Sequence, residues 1–309
     1  MNRLNKSHVV IFVFSGLTDN EQLAPFLFAF FLNVYLVCVV FNFGMMLIII
    51  TTSNLHTPMY YFLSYLSLVD LFYSSVITPK MLADLISKTK LISFQGCAVQ
   101  FFLFDVLVVT EALLLLSMSY DRYVAICHPL IYVSVMTNKK CLSLIFLCFS
   151  IGFLQSVIQT SCVFSLEFCG PNFIDHFYCD VPPLLILACS NTLLCDSITF
   201  FFVSACGVCS LMIILVSYTL ISYSILKIKS SEGRQKAFGT CSSHLTCVSI
   251  FFGTVFCTYL RPPATALEKQ DKSASVFYTV IIPMLNPLIY SLRNQEVKRS
   301  IKKAFHMGP

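Results

Sequence analysis

Five charged residues stand out because long apolar sequence lies beside them. They are Asp70, Asp105, Glu111, Asp121 and Arg122. A charge in such surroundings must be paired, hydrated or neutralised by a proton, and in membrane segments such residues mark functional sites by default. Asp121 and Arg122 are adjacent, so they can pair with each other. The pair predicts a latch in which the carboxylate holds the guanidinium until another partner takes it. The alternative is an ordinary anchor at the edge of a membrane.

The elements that position these residues are long apolar segments. Of the 309 residues, 57% are hydrophobic and 11% are charged, whereas soluble domains carry about 25% charged residues. Seven segments reach the length of about 20 residues that a membrane helix requires. We call them the first to seventh spans and predict an all-α membrane protein, a seven-transmembrane-helix bundle. The predicted spans are 24–50, 58–83, 97–121, 141–164, 197–226, 237–260 and 273–291.

The distribution of positive charge predicts the orientation. If the odd-numbered spans run from outside to inside, the 20 Lys and Arg residues divide into 12 inner and 8 outer ones. Cytoplasmic segments carry the excess of positive charge, so the amino terminus is predicted outside and the carboxyl terminus inside. Asn5 begins a glycosylation sequon that this orientation would expose to the glycosylation machinery. A short amphipathic helix is predicted over 293–306, lying along the inner membrane surface.

One stretch within and after the third span carries a family resemblance. The sequence SMSYDRYVAICHP from Ser117 to Pro129 resembles the third-helix signature of vertebrate olfactory receptors, a branch of the rhodopsin-like G-protein-coupled receptors. Ser119 departs from that signature, which usually has Ala. LHTPMY from Leu55, KAFGTCSSHL from Lys236 and PMLNPLIY from Pro283 match further patterns. The resemblance covers about residues 20 to 294.

The resemblance implies an odorant receptor. Such a receptor would bind a small, mostly apolar odorant in the outer half of the bundle and activate a stimulatory, olfactory-type G protein to raise cAMP. We expect membrane lipid as a further partner and no nucleic acid. The expected location is the plasma membrane, in cilia of olfactory sensory neurons. Residues 1–23 would be an extracellular amino terminus, 24–291 the helix bundle, and 292–309 a cytoplasmic helix and tail.

The resemblance also assigns an activation switch and a buried polar cluster. Pro287 should break the seventh helix and create a hinge. In the cluster, a bound Na⁺ and a protonated network without an ion remain two alternatives. The switch residues are Asp121, Arg122, Tyr123, Tyr218, Asn286, Pro287 and Tyr290, and the cluster residues are Asn42, Asp70, Glu111 and Asn286.

Four of the 15 cysteines lie at the outer boundaries or in the long outer loop. They are Cys97, Cys169, Cys179 and Cys189, and four cysteines in an oxidising compartment allow three pairings. The loop sequence resembles the same family, which implies Cys97–Cys179 and Cys169–Cys189. A metal site using these thiols and His176 is the alternative, although the secretory topology already explains the thiols. We predict no structural metal and no cofactor, apart from Na⁺ in the polar cluster.

A ligand cavity is expected in the outer halves of the third, fifth and sixth spans. Apolar residues recur there on single helical faces, and the resemblance turns those faces toward one cavity. Asp105 would either contact a ligand or bond to a neighbouring helix, and we favour the second. Tyr259 is the expected hydrogen-bond donor. The predicted lining is Phe101, Phe104, Asp105, Val108, Val109, Phe202, Cys206, Phe252, Val255, Phe256, Tyr259 and Thr279.

Two other function classes are disfavoured. Transporters often show repeated halves and paired broken helices, and neither is visible, although Asp70 and Glu111 could line an ion path. An enzyme is disfavoured because the chain has neither the HExxH nor the GxSxG motif. We therefore predict that the protein is not an enzyme.

Overall fold

A computed structural model of the chain describes residues 10–169, 172–259, 270–293 and 297–298. Within these residues, seven helices are long and apolar enough to cross a membrane, which confirms the predicted number. The third span is longer than predicted at both ends. The first six spans are Ala24–Thr51, Pro58–Ile86, Phe94–Cys127, Asn138–Phe164, Leu193–Leu226 and Ser231–Tyr259. The seventh is built from Gln270–Val276, Phe277–Ile281 and Ile282–Arg293.

Capping groups fix where several spans begin. The Ser93 side chain accepts a hydrogen bond from the Gly96 amide at 3.0 Å, and Thr137 accepts one from the Lys140 amide at 3.3 Å. Both bonds satisfy amides that lack a partner in the first turn of a helix. The second span begins at Pro58, where the missing amide hydrogen has no cost.

The third span is the centre of the bundle. It packs against the second, fourth, fifth and sixth spans, and residues such as Leu114, Leu115 and Met118 are buried. Large apolar side chains remain exposed on the outer faces of other spans, for example Phe26 and Phe201. Apolar outer faces of this kind suit contact with lipid. The backbone polar groups of a membrane helix also need no outside partner, because they are satisfied within the helix.

Two spans contain a π-helical turn. In the fifth span the turn is Val203–Val208, between the helices Leu193–Phe202 and Cys209–Leu226. In the seventh span it is Phe277–Ile281. Single π turns within α-helices occur frequently at functional sites.

The predicted break at Pro287 is wrong. The helix Ile282–Arg293 runs through this proline. Pro287 has no amide hydrogen to donate to the Pro283 carbonyl, four residues earlier. Instead, Asn42 Nδ2 of the first span donates to that carbonyl at 2.8 Å. The side chain from a neighbouring helix therefore replaces the lost backbone bond, and the helix continues.

A three-stranded sheet lies at the outer side and was not predicted. Its strands β1 (Ile11–Phe14), β2 (Leu91–Ser93) and β3 (Phe173–Ile174) are ordered β2-β1-β3. Strand β1 is antiparallel to β2 and parallel to β3. Phe12 and Phe14 are buried beneath it. The sheet joins the amino-terminal segment, the start of the third span and the long outer loop.

Both predicted disulfides are confirmed, and a third is present. Cys97–Cys179 and Cys169–Cys189 have Cα atoms 5.6 and 5.7 Å apart. The additional bridge, Cys162–Cys195, joins the outer ends of the fourth and fifth spans with a Cα separation of 5.8 Å. Because Cys169, Cys179 and Cys189 are all bridged, the thiols of the alternative metal site are not free ligands.

Two predictions lie wholly or mostly outside the described residues. The Asn5 sequon lies outside them. Of the amphipathic helix predicted over 293–306, the structure describes Arg293, Val297 and Lys298; all three are helical, and Val297 is buried.

Candidate functional site

The inner end of the third span holds the Asp121–Arg122 ion pair that the latch prediction requires. Asp121 is buried, and one of its carboxylate oxygens lies 3.5 Å from an Arg122 guanidinium nitrogen. The Tyr132 hydroxyl donates to the other carboxylate oxygen at 2.9 Å. Burial, with Asp121 next to it, raises the pKa of the Tyr132 phenol, so this group stays a hydrogen-bond donor. Met59 Sδ lies 2.9 Å from Arg122 Nε and completes the surroundings of the guanidinium.

Within the described residues, Tyr123 forms no hydrogen bond with Asp121 or Arg122. Its hydroxyl lies 3.1 Å from Nε2 of His128, in the connection that follows the third span. The structure therefore places Tyr123 at the inner surface rather than among the buried switch residues.

A second inner contact joins the third, fifth and sixth spans. His244 Nε2 lies 3.0 Å from the Leu115 carbonyl, which can only accept, so this nitrogen carries the proton. Nδ1 of the same ring then accepts a hydrogen bond from the Tyr218 hydroxyl at 2.8 Å. Tyr218 was a predicted switch residue, but His244 was given no role, although it lies in the KAFGTCSSHL motif.

The predicted polar cluster has its carboxyl groups gathered around one amide. Asn286 Nδ2 lies 3.1 and 3.2 Å from the two carboxylate oxygens of Asp70 and 3.1 Å from one oxygen of Glu111. All three side chains are buried. Asn42 belongs to the neighbouring contact with Pro283 described above, and Tyr290 is buried in the same part of the seventh span.

A cavity of about 690 Å³, counting the space at its mouth, lies between the outer halves of the third to sixth spans. Nine of the twelve predicted residues line it: Phe101, Phe104, Asp105, Val108, Val109, Phe202, Cys206, Phe252 and Val255. Cys206 lies within the π-helical turn of the fifth span, and Val203 and Gly207 of the same turn also line the cavity.

Asp105 combines the two roles that were considered for it. The Ser156 hydroxyl of the fourth span donates to its Oδ2 at 2.8 Å, as favoured from the sequence. Asp105 also lines the cavity. The Asp105 carboxyl group thus joins the third span to the fourth and also belongs to the wall of the cavity.

Of the three remaining predicted residues, Phe256 and Thr279 do not line this cavity. Phe256 packs against Phe252, with ring centroids 5.8 Å apart. Thr279 is buried, and its hydroxyl donates to the Ser275 carbonyl at 2.6 Å. The side chain of Tyr259 lies outside the described part of the chain.

Polar residues on the fourth and fifth spans were missed. Gln155, Gln159 and Thr199 line the cavity, so its wall is more polar than predicted. The available signal was the spacing of two glutamines by four residues in a largely apolar span, which places both on one helical face.

The outer loop forms the roof of the cavity through Asp180 and Val181. Tyr178 donates to Asp180 Oδ2 at 2.7 Å, and Tyr278 of the seventh span donates to the same oxygen at 3.2 Å. The Cys179 amide donates to Gln100 Oε1 at 3.1 Å, next to the disulfide to Cys97. The roof is therefore fixed to the third and seventh spans.

A buried histidine and an ion pair lie above this roof. His176 Nε2 lies 3.2 Å from the Ser275 hydroxyl, and burial lowers the pKa of His176 to about 3, so the ring is neutral. Lys272 Nζ lies 2.6 Å from Asp175 Oδ1, and this bond lowers the pKa of the Asp175 carboxyl. Lys272 also donates to Ser15 at 2.7 Å, which ties the amino-terminal segment to the seventh span.

Comparison with known proteins agrees with this architecture along the whole chain. The family model described as "Olfactory receptor" matches residues 31–307. Olfactory receptor 5AR1 of Mus musculus is 51% identical over 312 residues and covers 100% of both chains. Olfactory receptors 5AR1 and 8D1 of Homo sapiens are each 50% identical, covering 98% of this chain and 98% of their own.

The chain belongs to the olfactory receptor family. This membership confirms the resemblance found in the sequence and the prediction that the protein is not an enzyme. With its seven spans, this olfactory receptor is a multi-pass protein of the plasma membrane. The cavity lies at the outer end of the bundle, and the Asp121–Arg122 pair lies at the inner end.

Proposed function

We propose that this receptor binds a small, mostly apolar odorant in the outer cavity and activates a stimulatory, olfactory-type G protein, which raises cAMP. The observation that carries the proposal is the placement of two sites along one helix. Phe104 and Val108 of the third span line the cavity, and Asp121 and Arg122 lie near its inner end. Positions 108 and 121 are separated by 13 residue steps, which correspond to about 20 Å of helix.

The sixth span supplies the physical connection between the two ends. Phe251, Phe252 and Val255 line the cavity, and His244 contacts Leu115 and Tyr218 nearer the inner surface. Phe252 and His244 are eight residues apart, which is about 12 Å along a helix. An odorant that packs better when the sixth span is shifted would weaken the His244 contacts. Only such a difference in affinity between two states changes their populations.

The Asp121–Arg122 pair then links the shift of the sixth span to binding of the G protein. While the sixth span is in place, Asp121 accepts from Tyr132 and pairs with Arg122. When the sixth span moves away, the guanidinium gains room to leave Asp121 and bind the G protein. Arginine suits this role because its charge is permanent and its donors form a planar fork.

The buried polar cluster would hold the resting state. Asp70 and Glu111 share the single amide group of Asn286. Two carboxylates in a low-dielectric core cannot both remain charged without compensation, so either Na⁺ or a proton would bind there. Release of that cation would accompany activation.

The decisive experiment removes the guanidinium. Cells expressing the receptor are exposed to a panel of volatile molecules, and cAMP is measured together with surface expression. Arg122→Ala should abolish agonist-evoked cAMP at measurable surface expression, whereas Lys139→Ala, an exposed basic residue at the inner surface, should respond like the parent. Undiminished signalling in Arg122→Ala would contradict the coupling role. A fall in cAMP in the parent would contradict the stimulatory type of G protein.

The cellular location follows from the same proposal. A receptor for airborne molecules should lie in the cilia of olfactory sensory neurons. Antibody staining of the olfactory epithelium tests this, and staining confined to other tissues would contradict it.

A further inference from the structure

Two glutamines of the fourth span form a polar face in the cavity that the activation scheme does not use. Gln155 and Gln159 both line the cavity, and their side chains are 7% and 3% exposed. They are four residues apart, so they lie one helical turn from each other on the same face. Buried amide groups of this kind are normally fully hydrogen-bonded.

The contacts of Thr199 fix the orientation of the Gln159 amide. The Thr199 hydroxyl donates to the Cys195 carbonyl at 2.7 Å, so its oxygen is left as an acceptor. Gln159 Nε2 donates to that oxygen. A reversed amide would either place two acceptors against each other or cost the bond from Thr199 to Cys195, so the carbonyl oxygen points away from Thr199.

Both glutamine carbonyl oxygens lack a donor. In the part of the chain that the structure describes, neither Oε1 of Gln155 nor Oε1 of Gln159 meets a hydrogen-bond partner. The nearby hydroxyl of Ser156 is already used, because it donates to Asp105. Two buried acceptors without a donor therefore lie in this wall of the cavity.

We propose that Gln155 and Gln159 form a hydroxyl-recognition subsite and that the receptor prefers small alcohols; this rests on the proposed function. The hydroxyl donates to a glutamine oxygen, and the apolar chain lies against side chains such as Val108 and Phe202. A ligand that brings a donor removes the penalty of an unpaired buried acceptor. Ethers, aldehydes and ketones bring only acceptors to the Gln159 oxygen, whose orientation Thr199 fixes, so this part of the site discriminates against them.

Neutral alcohols fit this face better than amines do. The two free acceptors belong to uncharged amides, and an ammonium group in an apolar cavity requires a paired carboxylate. Two carboxyl groups line the cavity, and both already accept hydrogen bonds: Asp105 from Ser156, and Asp180 from Tyr178 and Tyr278. The subsite therefore selects for a hydrogen-bond donor rather than for positive charge.

The test compares matched molecules on cells that express the full chain. The probes are octanol, its methyl ether, octanal and octane, with phenylethanol and its methyl ether as an aromatic pair. The readout is the concentration that gives half-maximal cAMP, with surface expression measured in parallel. In the parent, we expect each alcohol to act at concentrations about three- to tenfold lower than its ether.

Two variants remove the acceptors while nearly keeping the side-chain shape. Gln155→Met and Gln159→Met should each weaken alcohols by about three- to tenfold and leave ethers unchanged or improved. Misfolding would weaken the response to every probe, so an improvement for ethers cannot result from it. Ser161→Ala, on the exposed face of the same span, is the matched control and should change neither class of probe.

Several outcomes would overturn the subsite. Ethers or aldehydes as potent as alcohols in the parent, or equal losses for alcohols and ethers in the Met variants, would do so. So would a response to amines alone that is lost in Asp105→Asn. If no alcohol acts but basal cAMP falls in Arg122→Ala, the receptor function stands and the alcohol subsite is wrong. If alcohols act and Arg122→Ala changes nothing, the coupling proposal fails and the subsite remains.

Discussion

The Tyr218 hydroxyl lies 2.8 Å from Nδ1 of His244 and joins the fifth span to the sixth. The two rings are also stacked, with centroids 5.5 Å apart and planes at 18°. The other ring nitrogen of His244 donates to the Leu115 carbonyl of the third span. One imidazole thus links three spans near the inner surface, and it can do so only while the sixth span is close to the third.

Removing this imidazole should favour the active state. His244→Phe keeps an aromatic ring for stacking but removes both hydrogen bonds. Each is worth about 1 kcal/mol, so the population of the active state, and with it basal cAMP, should rise by about fivefold or more. His56→Phe, an exposed histidine near the inner end of the first span, is the control. Basal cAMP equal to that of the parent at equal surface expression would show that the His244 contacts do not hold the sixth span in the resting state.

The cluster around Asn286 predicts dependence on salt or pH. Asp70→Asn removes one of the two carboxyl groups that share this amide. A single remaining carboxyl needs no cation to offset repulsion. Basal cAMP in the variant should therefore respond less to external Na⁺ or to pH than in the parent. Identical salt and pH responses in both proteins would show that neither Na⁺ nor a proton at this cluster holds the resting state.

The spans could be predicted from the sequence because lipid imposes a simple requirement. A membrane helix needs about 20 apolar residues, and that length is visible without any tertiary information. The Cys97–Cys179 bridge and the grouping of Asp70 with Asn286 came from resemblance rather than from spacing. They were confirmed because the family fixes which helices are neighbours.

The missed features depend on contacts between distant residues. Strand β1 has four residues and β3 has two, and their pairing joins positions 160 residues apart, such as Val13 and Phe173. Cys162 and Cys195 lie at helix ends, where a cysteine resembles an ordinary buried apolar residue. The continuous helix at Pro287 depends on Asn42, which no local pattern places near the Pro283 carbonyl.

The Cys162–Cys195 bridge predicts a stabilising role beside the cavity. It joins the span that carries Gln159 to the span that carries Thr199. Loss of a native disulfide commonly costs 2–5 kcal/mol. Cys162→Ser and Cys97→Ser should both reduce surface expression, and Cys148→Ser, a buried free cysteine of the fourth span, should have a smaller effect. Normal surface levels and normal agonist potency in Cys162→Ser would show that this bridge is dispensable.

His176 predicts that the outer roof is weakened by acid. Its pKa of about 3 lies below the ordinary value of 6.5, so between these values the unfolded chain binds a proton that the folded chain does not. The contribution of His176 to the free energy of unfolding is therefore complete above pH 6.5. It decreases as the pH falls toward 3, and the loss is about 2 kcal/mol at pH 5. Asp175 acts in the same direction, because its lowered pKa makes its contribution disappear when the carboxyl is protonated at still lower pH.

The measurement for His176 is the melting temperature of the purified receptor in detergent at pH 7.5 and pH 5. The parent should melt at a lower temperature at pH 5, and His176→Gln, which keeps a side chain able to reach Ser275, should show a smaller difference. His128→Gln, at the inner surface, is the control. A pH effect of the same size in His176→Gln and the parent would assign the acid sensitivity to other groups.

Phe201 and Phe202 provide a matched pair for testing whether odorants occupy the cavity. They are adjacent in the fifth span, but Phe202 lines the cavity while Phe201 is 63% exposed on the outside of the bundle. Phe202→Ala should weaken agonists by about one to two decades, because burying one such side chain is worth about 1.5–3 kcal/mol. Phe201→Ala removes the same atoms from the same helix and should leave potency unchanged. Val108→Ala, on the facing wall of the third span, should shift potency in the same direction as Phe202→Ala by a smaller amount, because fewer atoms are lost. If Phe202→Ala and Val108→Ala both keep the parent's potency at equal surface expression, odorants bind elsewhere in this receptor.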